Sequence, residues 1–167
     1  MYTIVAGTNR QGSNTLKVAR QYQKFLQQKG VDAHLLSLED VNLYARDAAF
    51  SQLEKDIIGP TTHFIFIAPE YNGSFPGVLK MLFDTSSSNT IWWHKKALLT
   101  GVSTGRAGNV RGLEHLAGVL NYLKITVCPN LLPISVVNKL MDEQGQFTDA
   151  ASIEVINKQL DEFISWG

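Results

Sequence analysis

Short apolar runs alternate along the chain with longer segments of helical period. Tyr2-Thr3-Ile4-Val5-Ala6 is the first such run. From about Ser13 to Lys29, apolar positions recur at Leu16, Ala19, Tyr22 and Leu26, the spacing of one helix face. Gly30 is the residue type that commonly ends such a helix. A second strand is expected at about Asp32 to Leu38, a short helix near Phe50 to Ile58, and a third strand at His63-Phe64-Ile65-Phe66-Ile67-Ala68. That third run is apolar without alternation, the pattern of a parallel strand covered by helices on both faces. A helix from about Pro76 to Ser86 leads through Ser87-Ser88-Asn89 and Trp92-Trp93 to a fourth strand at about Lys96 to Val102. A helix near Asn109 to Tyr122, a fifth strand near Ile125 to Cys128 and a terminal helix from about Asp149 to Phe163 complete the reading. The segment Leu131 to Gln146 has no decisive pattern, and its structure stays open.

Five strands interleaved with helices predict an α/β protein with right-handed crossovers and an open parallel sheet between two helical layers. At this size the natural strand order is 2-1-3-4-5. The 167 residues fit one domain, 1–167, with no repeat or linker to divide it. A chain of this length buries about two-thirds of its surface, enough for a core without staples. Lys and Arg total 15 against 15 Asp and Glu, a formal charge of zero. That balance removes the electrostatic warrant for a nucleic-acid or membrane partner and weighs against a highly acidic electron carrier. Cys128, the single cysteine, cannot form an internal disulfide, and no Cys/His cluster has zinc spacing, so no metal site is expected. The opening MYTIVAGTNR lacks a charged segment before an apolar one, which predicts a soluble, cytoplasmic protein.

In open sheets of this kind, ligands bind beyond the carboxyl ends of the strands where strand order reverses. The loops after the first, third and fourth strands are also those of unusual composition. The first, Gly7 to Thr15, places Thr8, Asn9, Arg10, Ser13, Asn14 and Thr15 at the start of a helix, an anion-binding arrangement. Gly7 and Gly12 have the separation of a nucleotide-triphosphatase loop, but Ser13-Asn14 stands where Lys-Ser/Thr is needed. A terminal monophosphate suits the loop better; the bland reading is a capped turn with Ser13 as N-cap. The second loop, Pro69-Glu70-Tyr71-Asn72-Gly73-Ser74-Phe75-Pro76-Gly77, offers close backbone approach at Gly73 and aromatic surface at Tyr71 and Phe75 to a planar ligand. Its alternative is a simple Asn72-Gly73 turn with Phe75 in the core. The third loop holds Ser103, Thr104, Gly105 and Arg106 among three glycines, Gly101, Gly105 and Gly108, which favour main-chain contact with a ligand over a plain helix cap.

Together the three loops resemble those of the NADPH-dependent FMN reductase family. Arg10, Ser13 and Asn14 stand at the positions that hold the flavin phosphate in that family. Pro69-Glu70-Tyr71-Asn72-Gly73-Ser74, followed by Pro76-Gly77 and Leu79-Lys80, resembles its most specific motif, whose turn holds the isoalloxazine edge. Ser103 to Gly108 resembles its third flavin loop. The sequence departs at Asn109, where the family often has a second glycine, and at Met81, where it often has Asn. The resemblance implies a flavodoxin-like three-layer sandwich binding FMN and oxidising NADPH, with electrons passed to a small-molecule acceptor. It also implies a homodimer or homotetramer paired through the helices starting at Pro76 and Asn109. Trp92-Trp93 either roofs the partner's site or belongs to the local core.

If FMN binds, the cofactor carries the hard chemistry and no protein acid, base or nucleophile is required. His34, His63, His94 and His115 show no triad spacing, and Cys128 is expected to be buried and inert. The main alternative is a flavodoxin-type single-electron carrier, which the neutral charge disfavours. A phospho-receiver domain of the same strand order needs an acidic pocket, which Gly7-Thr8 and Pro69-Glu70 at the strand ends do not supply.

Overall fold

A computed structural model describes residues 1–166. The chain forms β1 (Tyr2–Ala6), α1 (Asn14–Gln28), β2 (Ala33–Ser37), α2 (Ala48–Leu53), β3 (His63–Pro69), α3 (Gly77–Asp84), β4 (Lys96–Val102), α4 (Val110–Tyr122), β5 (Thr126–Val127), β6 (Leu132–Ile134) and α5 (Ala150–Ser165). The strands pair in parallel in the order β2-β1-β3-β4-β5, with β6 also on β4. Ile4 stands opposite Ile65, and Ile65 opposite Leu98. β3 is buried from Phe64 onward, as its unbroken apolar run requires. Phe64, Phe66 and Ala68 face the cluster containing Leu79, Leu82, Leu113 and Leu116 of α3 and α4. Ile65 and Ile67 face the cluster containing Leu16, Tyr22, Leu160 and Phe163 of α1 and α5.

The sheet has six strands rather than the expected five, because the outer lane beside β4 is divided. β5 pairs only with Lys96 and Ala97, and β6 returns to Thr100, Gly101 and Val102. Pro129 cannot donate to a ladder, and Pro129 and Asn130 lie between the two strands. Gln159 of α5 fills the gap: its Nε2 donates to Leu99 O at 3.1 Å and to Asn130 O at 2.9 Å. Its Oε1 accepts from Tyr22 Oη at 2.8 Å and Thr100 Oγ1 at 3.1 Å. Burial pushes the Tyr22 phenol well above its ordinary pKa, with the Thr100 bond pulling the other way. This buried network contains no unpaired group and locks α1, α5 and β4 together.

Trp92 belongs to the core and cannot roof a partner's site. It is fully buried, with ring centroids 5.3 Å from Phe64 and 5.0 Å from Phe83, and its Nε1 donates to Ser86 Oγ at 3.0 Å. Trp93 lies at the surface under the Lys124 ammonium, 3.6 Å from its ring. Cys128 is buried, as expected, but lies just past β5 rather than on it.

At the opposite end of the sheet from the three loops, buried Lys95 donates to the carbonyls of Ile58 at 2.6 Å, Gly59 at 2.8 Å and Thr61 at 2.5 Å. It thereby caps the π-helical turn Glu54–Ile58. Burial draws its pKa down to about 8 from 10.5. Between those values the unfolded chain holds more protons than the folded one, so stability rises with pH. The contribution is complete above the unfolded value and is lost as pH falls through the folded one. Urea melts of wild type and Lys95→Met should therefore diverge in favour of wild type from pH 8 to pH 10. A constant difference would show that Lys95 titrates normally.

Candidate active site

The carboxyl ends of β1, β3 and β4 open into one cavity of about 570 Å³, within the usual range for small-molecule sites. All the sequence-predicted residues except Asn9 line it: Thr8, Arg10, Ser13, Asn14 and Thr15 from the first loop, Pro69 to Gly73 from the second, and Ser103 to Arg106 from the third. Asn9 is exposed beside it.

The first loop turns into α1 through Ser13, whose Oγ accepts from Leu16 N at 3.1 Å. Ser13 is thus the N-cap that ordinary helix chemistry asks for, and it also faces the cavity. None of the hydrogen bonds among the described residues uses the amides of Gly12, Ser13 or Asn14. Thr8 Oγ1 accepts from Arg10 N at 3.3 Å and shares a hydrogen bond with Tyr71 Oη at 2.8 Å. The Arg10 guanidinium lies over the Tyr71 ring, 4.7 Å from its centroid. Tyr71 therefore joins the second loop to the first, a role its aromatic character alone did not announce.

In the second loop, Tyr71 N donates to Ser74 O at 2.8 Å and Ser74 N to Tyr71 O at 3.1 Å, closing a two-residue reverse turn. Asn72 and Gly73 have φ of 51° and 75°, the left-handed pair of a type I′ turn. Their amides make no protein hydrogen bond among the described residues. Glu70 N donates to Val102 O at 3.0 Å, which fixes the base of the turn against β4. Phe75 does not line the cavity; it packs against the core, as the bland reading had it. Ser74 Oγ is paired with His115 Nδ1 at 2.9 Å on the outer side of the turn.

The third loop is braced from within and behind. Ser103 Oγ donates to Gly105 O at 3.0 Å and accepts from Gly108 N at 2.9 Å. Ser103 N donates to Ile134 O, Val136 N to Gly105 O and Val137 N to Ser103 O, at 2.9 to 3.0 Å. The segment whose structure the sequence left open is thus the buttress of this loop. The amides of Thr104 to Ala107 have no protein acceptor among the described residues. Val102, Ala107 and Val137 also line the cavity. Ala107 belongs to the third loop's motif, whereas no motif pointed to the side chains of Val102 or Val137, and Val137 lies in the unpatterned segment.

The lining carries two guanidiniums, Arg10 and Arg106, against one carboxylate, Glu70, and holds no histidine or cysteine. It therefore offers positioning and electrostatics rather than a nucleophile and base. Free amides from three loops around one cavity with two cationic side chains fit a planar ring carrying one phosphate.

Residues 2–138 match the model of a family described as NADPH-dependent FMN reductase. The chain belongs to that family. The reductase is 29% identical over 173 residues to an NAD(P)H-dependent FMN reductase of Pseudomonas aeruginosa, covering 97% of this chain and 92% of that one. It is 29% identical over 123 residues to a 2-hydroxy-1,4-benzoquinone reductase of a Burkholderia species, where the match spans 71% of this chain and 64% of the relative. In structure it resembles FerB, a flavoenzyme NAD(P)H:(acceptor) oxidoreductase of Paracoccus denitrificans, with a TM-score of 0.82, 25% identity, and coverage of 99% and 95%. A flavodoxin of Pseudomonas aeruginosa is more distant, with a TM-score of 0.60 at 18% identity and 97% coverage of both chains, and shares the fold. The reductase is accordingly an FMN-dependent NAD(P)H oxidoreductase rather than a flavodoxin-type carrier. Among the described residues, no helix is long and apolar enough to cross a membrane.

Proposed function

We propose that the three loops hold FMN and that the reductase passes electrons from NADPH to a small quinone-like acceptor, as a cytoplasmic homodimer or homotetramer. The observation that carries this reading is the convergence of unpaired amides from all three loops on one cavity flanked by Arg10 and Arg106. The first loop takes the phosphate. The amides of Gly12, Ser13 and Asn14 are free at the positive end of α1, Arg10 would supply the full charge, and Thr15 and Asn9 border the site. The Asn72 and Gly73 amides face one edge of the ring. The Thr104 to Ala107 amides and Arg106 would serve the other edge, where donors fixed in advance would stabilise the negative charge of a reduced flavin without reorganisation. When bound, FMN supplies the hydride acceptance and delivery. Pro69, Glu70 and Tyr71 line the same cavity and would contact the bound flavin.

An open cavity lined by two guanidiniums, one carboxylate and free amides, with no histidine or cysteine, supports a small planar acceptor. The quinone activity of the Burkholderia relative is consistent with it. Pairing through α3 and α4 is supported by exposed apolar residues at the two ends of α4, Val110 and Tyr122. The test is to load the purified protein with FMN and follow NADPH and NADH oxidation with benzoquinones, an azo compound and free FMN, with mass measured by sedimentation. Quinone-dependent turnover by a dimer or larger assembly is expected. A colourless protein that takes up no FMN would overturn the binding reading, and bound FMN without quinone turnover would overturn the acceptor.

A further inference from the structure

The turn from the third loop into α4 is made by Asn109, whose backbone is left-handed at φ 65° and whose side chain is buried, with 1% of the residue exposed. Its Nδ2 donates to Ala68 O at 3.0 Å and to Pro69 O at 2.9 Å, the last two carbonyls of β3. Its Oδ1 is buried without a hydrogen-bond partner. Two glycines make the room. A Cβ on Gly101 would lie 3.1 Å from Asn109 Cβ, and one on Gly112 would lie 2.0 Å from Asn109 Oδ1.

Two features of this arrangement are unfavourable. The left-handed region costs asparagine less than most side chains but still more than glycine, and an unpaired buried acceptor forfeits its hydration. Glycine would avoid both. What asparagine adds is the pair of hydrogen bonds across to β3, at the point where that strand leaves the sheet for the Asn72-Gly73 turn. Glu70 is tied to Val102 on the other side of the same junction. We infer that Asn109 is a positioning residue that clamps the ring-side turn to the third loop, so that both reach FMN as one preformed unit. This rests on the FMN reading above. Its physical content is preorganisation: donors on two separate loops keep a fixed spacing before the ligand arrives, and affinity is not spent on gathering them.

Two variants separate this from a merely structural role. Asn109→Gly keeps the left-handed backbone without strain and removes both bonds. Asn109→Asp keeps the shape but turns acceptors toward two carbonyl oxygens. In the FMN-free protein, hydrogen exchange at Glu70, Tyr71 and Gly108, whose amides are bonded in the wild type, should accelerate in Asn109→Gly while α1 amides stay unchanged. FMN should bind roughly tenfold more weakly to Asn109→Gly, the scale of losing one or two net hydrogen bonds. The two-electron potential should shift as well. Asn109→Asp should bind more weakly still; if it does not fold, Asn109→Gly alone decides. Unchanged exchange, affinity and potential in Asn109→Gly would overturn the clamp. A wild type that takes up no FMN would overturn the functional reading instead, and the exchange result on the free protein would still decide whether the two loops are tied.

Discussion

Gly101→Ala loses FMN binding by about a hundredfold or more, the scale expected when reacting or binding groups are misplaced by about an ångström. The new Cβ would sit 2.0 Å from Gly108 O and 3.1 Å from Gly108 C, both backbone atoms. Retreat is blocked. Gly108 has φ 57°, and its own position is closed behind by Pro133, whose backbone carbon and Cβ would each lie 2.7 Å from any Cβ placed there. The third loop must therefore move as a whole, carrying the Thr104 to Ala107 amides out of register with the Asn72-Gly73 turn. Titration of the FMN-free variant with FMN measures the effect, with circular dichroism to establish that the sheet persists. Affinity within about threefold of wild type would mean that the third loop does not touch the ring.

Arg10→Ala separates phosphate from ring recognition. A charge-assisted hydrogen bond contributes on the order of 2 kcal/mol, so FMN affinity should fall roughly thirtyfold, and the salt dependence of binding should flatten. Riboflavin has the ring without the phosphate, and its affinity should be nearly the same in variant and wild type. Equal losses for both ligands would place Arg10 against the ring and reverse the orientation proposed for FMN. Arg10→Lys should recover only part of the loss, because stacking of a planar guanidinium on Tyr71 aims it, and an ammonium on a flexible stem is not aimed in the same way.

Much of this molecule could be read from residue pattern because burial on both faces leaves a strong trace. β1, β3 and β4 were legible as apolar runs, and α1 through its spaced Leu16, Ala19, Tyr22 and Leu26. The divided outer lane was not. β5 falls within the strand expected near Ile125 to Cys128, but the three residues of β6 are too short for periodicity, and Pro133 inside β6 argues against a strand in any local reading. Its presence there is allowed because the outer side of that lane has no neighbour to receive an N–H. The lining residues of the three loops were legible for a related reason: polar and glycine-rich turns directly after buried strands have no core role to explain them. Val137 and Asn109 were not. An apolar residue in an unpatterned segment carries no signal of what it faces. Asn109 was visible only as a departure from glycine, and neither its reach to β3 nor the space left by Gly101 and Gly112 is encoded nearby in sequence.

The interruption at Pro129 and Asn130 has a bearing on how copies of the protein behave when crowded. A continuous outer strand is a ladder on which a foreign strand can polymerise, the first step toward fibrils. Here that margin is cut into stubs of two and three residues, interrupted by two prolines that cannot donate. Lateral growth of the sheet finds no continuous template on this flank.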